Sequence, residues 1–216
     1  MTDRSDPRAE QLRAGYAAVA RAYREELGSE LDGKPLDRAF LDAFAERTRG
    51  LQVADIGCGP GHVAGYLASR GARVEGIDLS PAMIDEARAA HPELGFRVGD
   101  MFALPYPDAA LGGVVAFYAI VHLRSDELAA PLRELHRVLA PGGLAALAFH
   151  IGTDTIHVDE LFGCATSLDF CFHRPEDVIA PLLAAGFTLE ARLDREPYPD
   201  AEHLTRRCYL LARRSP

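Results

Sequence analysis

Three acids and two histidines stand where apolar runs give way to turns, and those side chains suit proton transfer and the recognition of hydroxyl groups. Asp55 lies at the end of the run Leu51 to Ile56, and glycines follow at alternate positions, Gly57, Gly59 and Gly61. Asp78 closes a second run, Arg73 to Ile77, and Asp100 follows Gly99 after a third. His122 comes just after Phe117 to Val121, and His150 ends the run Leu144 to Phe149. Glycines let the backbone turn tightly and let a ligand lie against main-chain atoms. An acid about twenty residues after the first glycine has the spacing at which a carboxylate meets ribose hydroxyls. An imidazole titrates near neutrality and could take a proton from a phenol, hydroxyl or amine.

Such residues need a scaffold that brings distant loops together. Val63, Tyr66 and Leu67 repeat at helical spacing after the glycines, so the order is strand, glycine loop, helix. Further strands are expected near 73–77, 95–98, 113–118 and 143–150. Helices fall between them, one opened by Ser80 and Pro81 and another from Asp126 to Leu139 with Ser125 as its N-cap. Alternating strand and helix implies an α/β fold, a mostly parallel sheet with helices on both faces. Ligands of such sheets bind outside the carboxyl ends of the strands, where the titratable candidates stand.

Ahead of the sheet, Ala9 to Glu26 reads as a helix with Leu12, Tyr16, Val19, Ala20 and Tyr23 along one face. Pro35 opens a second helix to about Arg49, with Phe40, Leu41 and Phe44 inward. Behind the sheet, Glu176 to Ala185 is a helix stopped by Gly186, and Phe187 to Asp194 and Arg207 to Arg213 read as closing strands.

Two familiar glycine loops do not fit. A dinucleotide fingerprint wants a small residue where this chain has His62, which disfavours a nicotinamide-dependent oxidoreductase. A phosphate-binding loop would need lysine followed by serine or threonine. What remains, Asp-x-Gly-x-Gly-x-Gly, resembles the first motif of class I S-adenosylmethionine-dependent methyltransferases. Later stretches resemble that family's further motifs in order: Asp78 with Leu79 to Ile84, Gly99-Asp100-Met101, Gly113 to Leu123, and Leu139 to Leu144. One departure is that an acid commonly opens the family's fourth strand, where this chain has Leu111-Gly112-Gly113.

The resemblance is to small single-domain members of the type 11/25 kind. It implies a Rossmann-like fold whose seven-stranded sheet has its last strand inserted antiparallel. It implies transfer of a methyl group from S-adenosylmethionine to a small-molecule acceptor by direct displacement. Carried over residue by residue, Asp55 and Gly57 would lie near the methionine end, Asp78 on the ribose and Asp100 near the adenine. Cys58, Gly59, Leu79, Met83, Met101 and Phe117 would complete the cofactor contacts. Tyr16 and Tyr23 would face the ligand from a closing helix, or form only the packed side of that helix. On this reading residues 1–216 form one domain: a helical cap over 1–49, a cofactor-binding core over 50–150, a substrate-binding insertion over 151–175, and a closing helix and strands over 176–216.

His150 and His122 are the candidate bases, needed only if the acceptor is protonated at working pH. His122 has an alternative structural or cofactor-side reading. The segment Ile151 to Phe172 is expected to be a substrate-binding insertion or a loop packed on the sheet edge, and it carries His157, Phe162, Phe170 and Phe172, with His173 next. Asp154, His157, Asp159 and Glu160 have the chemistry of divalent-metal ligands, but charged loop residues are ordinarily solvated and no metal is expected. Cys58 has no partner base in the local sequence and is not read as a nucleophile.

Composition narrows the partners. A net charge of -9 argues against nucleic acid and anionic membrane surfaces. The basic cluster Arg206, Arg207, Arg213 and Arg214 reads as a solvated terminal strand. Met1 to Pro7 is polar with no secretory pattern, and no run is long enough to span a bilayer. The four cysteines form no C-x-x-C pair, so reduced thiols and a cytoplasmic location are expected. The competing function is a cofactor-binding protein of the same fold that is regulatory or guides another rearrangement. The sequence sets no oligomeric state.

Overall fold

The structure is a computed structural model and describes residues 7–199 and 202–215. The reading of Met1 to Asp6 lies outside these residues. In chain order the elements are α1 (Pro7–Leu27), α2 (Pro35–Arg47), β1 (Gln52–Ile56), α3 (His62–Ser69), β2 (Arg73–Asp78), α4 (Pro81–Ala90), β3 (Gly95–Val98), β4 (Leu111–Phe117), α5 (Ala129–Val138), β5 (Leu139–His150), β6 (Thr155–Leu161), β7 (Cys164–Cys171), α6 (Pro175–Ala184), β8 (Phe187–Arg195) and β9 (Arg207–Arg214).

Seven strands form one sheet in the order β3-β2-β1-β4-β5-β9-β8. β1 to β5 pair in parallel, and β9 enters antiparallel between β5 and β8. This is the α/β arrangement that the strand–helix alternation implied, with the antiparallel insertion that the family resemblance implied. Both faces of the sheet are covered. Along β5, Leu144, Ala146 and Ala148 join Leu41, Phe44, Val63 and Leu67 of α2 and α3. Ala145, Leu147 and Phe149 join Leu132 and Leu135 of α5 and Val178 and Leu182 of α6. Burial on both sides is why the central strands read as unbroken apolar runs. Among the described residues, no helix is long and apolar enough to cross a membrane.

Three local expectations change. Ser80 does cap α4, its hydroxyl accepting from Met83 N at 3.4 Å, but Ser125 caps nothing. A short 3-10 turn spans Ser125–Glu127, buried Leu128 precedes α5, and the Ser125 hydroxyl lies 3.2 Å from His173 Nδ1. The basic terminal strand is solvated only in part: β9 lies inside the sheet and Arg207 is 2% exposed, while Arg206 is exposed and Arg213 and Arg214 are half-buried.

The third change is in the segment after β5, which is a β-hairpin rather than a loop. Phe162 and Gly163 take φ of 52° and 74°, and two successive positive values are what a two-residue type I′ hairpin turn requires. β6 and β7 make a separate two-stranded sheet, and β7 packs on α1. Leu168 is fully buried there, and Thr166 Oγ1 donates to Gly15 O at 3.0 Å. A Cβ on Gly15 would stand 2.7 Å from Leu168 Cδ2.

Asp55 is buried under the loop after β1 at 1% exposure, and its Oδ2 has no hydrogen-bond partner among the described residues. Burial pushes its pKa up to about 7, partly opposed by His62 and by the Ala64 N–H. The folded chain therefore holds this proton more tightly than the unfolded one, whose carboxyl titrates near 4. The stability tied to this group is fully present below about pH 4 and is lost as pH rises through about 7.

Two outcomes are expected. Gly15→Val should separate the hairpin from α1 and destabilise the protein by about 1 to 3 kcal/mol in denaturant titration, and an unchanged midpoint would refute the close contact. Asp55→Asn should flatten the decline in melting temperature between acid and neutral pH. A wild-type curve parallel to that of the variant would contradict the burial argument.

Candidate functional site

The site is built on a turn that only a residue without Cβ can make. Gly57 has φ of 68°, and a Cβ there would stand 2.6 Å from the Cβ of Ala119. The turn directs the N–H groups of Gly57 and Cys58 to Ile77 O, at 2.7 and 3.1 Å. Because Ile56 pairs with Ile77, Asp78 emerges beside the glycine loop. Its Oδ2 accepts from Gly59 N at 2.9 Å and its Oδ1 from Ser80 N at 2.8 Å. Burial pushes the Asp78 carboxyl up despite these backbone donors. The Leu79 N–H also faces the group, and the accepting capacity that remains is open to a ligand hydroxyl.

Over these strand ends lies a cleft of roughly 1020 Å³, counting the part open to solvent. From the core, Gly57, Cys58, Gly59, Asp78, Leu79, Met83, Asp100, Met101, Phe117 and His122 line it. From α1, Tyr16 and Tyr23 line it. Asp55 is not on its wall, because the carboxyl turns beneath the loop toward the Ala64 N–H.

His150 does not meet the expectation of a base beside the reacting centre, because it too is absent from the lining. β5 carries it into register with Arg207 of β9, and its Nδ1 lies 2.6 Å from Thr205 Oγ1. Its ring packs 5.1 Å from that of Tyr118, and burial, with Arg207 nearby, pushes its pKa down to about 3.

Sequence reasoning passed over Arg13, Glu30, His62 and Tyr118, all of which line the cleft. Glu30 Oε1 is 2.9 Å from His62 Nε2, and its Oε2 is 2.5 Å from Lys34 Nζ. Burial alone would raise Glu30, but these partners hold it down at about 2. His62 had counted only against a dinucleotide loop, although its place directly after the glycines put it in reach of whatever the loop holds.

One imidazole joins the roof to the core. His122 Nδ1 lies 2.6 Å from Asp169 O in β7, and its Nε2 lies 2.6 Å from the Tyr16 hydroxyl in α1. A carbonyl only accepts, so Nδ1 carries the proton and Tyr16 donates to the bare Nε2. Burial lowers the His122 pKa to about 4, and the ring is neutral near pH 7. Arg8 donates to His122 O and pairs with Glu127 at 2.6 Å, and Arg24 pairs with Glu86 of α4 at 2.5 Å. Tyr23 meets Phe162 at the hairpin tip, with ring centroids 5.7 Å apart. The suggested metal ligands lie on or beside this hairpin, with His157 exposed and engaged by Asp169 and Asp159 at 2.7 and 3.2 Å.

Comparison with known proteins agrees with this geometry. A family model described as a methyltransferase domain matches residues 53–143. Malonyl-[acyl-carrier protein] O-methyltransferase of Serratia marcescens is 35% identical over 130 residues, covering 59% of this chain and 50% of that protein. A probable S-adenosylmethionine-dependent methyltransferase of Mycolicibacterium smegmatis is 34% identical over 162 residues, covering 69% and 62%. The chain thus spans between half and two thirds of the length of these relatives. The crystal structure of magnesium protoporphyrin IX methyltransferase from Synechocystis PCC 6803 with bound S-adenosylmethionine shares the fold, with a TM-score of 0.74 at 21% identity over 99% of this chain and 100% of that one. The matched segment runs from β1 into the turn that opens β5, the same stretch that carries the glycine turn and the acids of the cleft. That match makes residues 53–143 a methyltransferase domain, and the sheet order is that of the class I S-adenosylmethionine-dependent methyltransferase fold.

Proposed function

We propose that this chain methylates a small-molecule acceptor with S-adenosylmethionine held in the cleft. The observation that carries the reading is the pairing of the Cβ-free turn at Gly57 with a carboxylate on the cleft wall, Asp78, that retains accepting capacity for a ligand hydroxyl. The cleft's donor set suits the cofactor. The ribose would lie on Asp78, flanked by Leu79 and Met83, and the adenine near Asp100 and Met101. The amino-acid end would rest on the backbone of Gly57, Cys58 and Gly59, with Phe117 beneath. His62 Nδ1 is buried with no partner among the described residues, a vacancy that an ammonium donor would fill. Asp55 supports the loop from below rather than touching the ligand.

When bound, the cofactor supplies a methyl group made electrophilic by the adjacent sulfonium. The protein's part is alignment, since fixing a nucleophile in near-attack geometry can provide several kcal/mol of the barrier, about 7 or more in favourable cases. Tyr16, Tyr23 and the hairpin close the cleft against water. His122 holds Tyr16 and β7 in one arrangement, and any proton it received from the cleft would pass through the Tyr16 hydroxyl. His150 supports Tyr118 from outside. Residues 1–49 and 151–175 act as the cap and the acceptor-facing wall around a core over 50–150, closed by 176–216. A chain of net charge -9 with an apolar-lined cleft supports a small acceptor over nucleic acid.

Transfer of label from methyl-labelled S-adenosylmethionine to a small-molecule fraction would test the activity, and label confined to macromolecules would overturn the acceptor class. Asp78→Ala should weaken S-adenosylhomocysteine binding by about 1.5 to 3 kcal/mol in calorimetry, whereas an unchanged Kd would reject the ribose role. Tyr16→Phe removes only the bond to His122 and should weaken the same ligand by about 1 kcal/mol. Equal affinity would reduce Tyr16 to packing.

A further inference from the structure

Behind the cleft wall lies a buried polar cluster that cofactor binding does not use. Tyr118, which lines the cleft, has its hydroxyl 3.1 Å from that of Tyr209 in β9. The Tyr209 hydroxyl donates to Asp37 Oδ2 at 2.7 Å and accepts from Arg195 Nε at 3.0 Å. Since its single proton goes to Asp37, the bond from Tyr118 must run inward, with Tyr118 as donor. The Tyr118 oxygen then gives its proton away and accepts none from any described residue. Tyr118 is also held at φ of 55°, a left-handed conformation that costs free energy in a bulky residue and gathers at functional sites.

We propose that Tyr118, Tyr209 and Asp37 form a proton relay from the acceptor to a buried carboxylate, and that the acceptor therefore enters with its reacting oxygen or nitrogen protonated and uncharged. The proposal rests on the methyltransferase reading above and names the acceptor class within it. As the acceptor's heteroatom bonds to the methyl carbon, the carbon–sulfur bond breaks and its electron pair goes to sulfur. The acceptor's proton passes to the Tyr118 oxygen, that of Tyr118 to Tyr209, and that of Tyr209 to Asp37. The sulfonium and carboxylate charges are both cancelled.

The surroundings of Asp37 permit this change. It is 1% exposed and faces Arg195 of β8 at 2.8 Å, Tyr209 of β9, and the cation Lys34 just before α2. Burial raises its pKa, against the opposing pull of Tyr209, Arg195 and Lys34. Protonation does not strand Arg195, because Glu202 also holds that guanidinium through both carboxylate oxygens. Lys34 keeps Glu30 at 2.5 Å and Glu202 at 3.4 Å, and Arg207 keeps Glu202 at 3.5 Å. An acceptor that arrives as a carboxylate would need no such path.

The test gives the full chain methyl-labelled S-adenosylmethionine and either 1-naphthol, a neutral hydroxyl, or benzoate, over about pH 6 to 9. Label is expected on the naphthol and not on benzoate. Tyr209→Phe keeps the ring but cuts the relay, and should lower kcat at neutral pH by about tenfold or more while KM and S-adenosylhomocysteine affinity stay within about twofold. That deficit should shrink as pH rises toward the ionisation of the naphthol itself. If this variant does not fold, Tyr118→Phe leaves the buried ion pairs in place and carries the same expectation. Wild-type turnover and pH profile in the variant, label on benzoate, or none on the naphthol would overturn the relay. Failure of S-adenosylhomocysteine to bind the wild-type chain would instead strike the cofactor reading.

Discussion

A single carboxylate ties together the two loops on which the cleft depends. Asp78 accepts from Gly59 N in one loop and Ser80 N in the other, so the glycine turn and the start of α4 are fixed to the same side chain. The arrangement is possible because Gly57 lets the chain fold back until two N–H groups reach Ile77 O and Ala119 lies almost in contact. A charge taken from water in this way is costly unless donors converge on it, and here they are backbone groups that cannot swing away. This part of the cleft wall is therefore fixed by the backbone itself.

The roof obeys a different logic. α1 reaches the core through ion pairs at Glu127 and Glu86 and through the small face of Val19 and Ala20 against Met83. The hairpin reaches it through Cys171 N on Val121 O and through Asp169 O on His122. Both meet at one neutral imidazole, whose two nitrogens serve different elements. Helix and hairpin also hold each other at Gly15, so displacing either disturbs the other. The floor of the cleft belongs to the sheet, while its ceiling is an assembly of two separate segments.

The floor was far more legible in the sequence than the ceiling, for a physical reason. Strands buried on both faces leave continuous apolar runs, and tight turns leave glycines and a capping serine, so β1, β2, the Gly57 turn and Ser80 could be placed from local pattern alone. Most of the expected cofactor contacts follow such turns and line the cleft, and Asp55 missed its wall because chain direction after Ala54 is not a property of spacing. The roof depends on pairings across long separations. Phe162-Gly163 carried a hairpin signal within a stretch whose charged residues drew attention to solvation instead. Ser125 had the right type for a cap but was turned aside when Leu128 entered the core. His150 ended a strand as expected, yet the neighbour it met was fixed by β9, more than fifty residues on. Arg207 looked solvated only because nothing local reveals that its strand is interior.

The insertion of β9 between β5 and β8 also orders events during synthesis. β8 leaves the ribosome before β9, yet among the described residues β9 is its only partner in the sheet. Until β9 arrives, β8 has no ladder to join and the flank of β5 stays open, a row of unmatched amides able to recruit other strands. Closure of that flank also delivers Tyr209 and Arg195 to Asp37 in α2, so the cap is locked down by the last of the described strands to emerge.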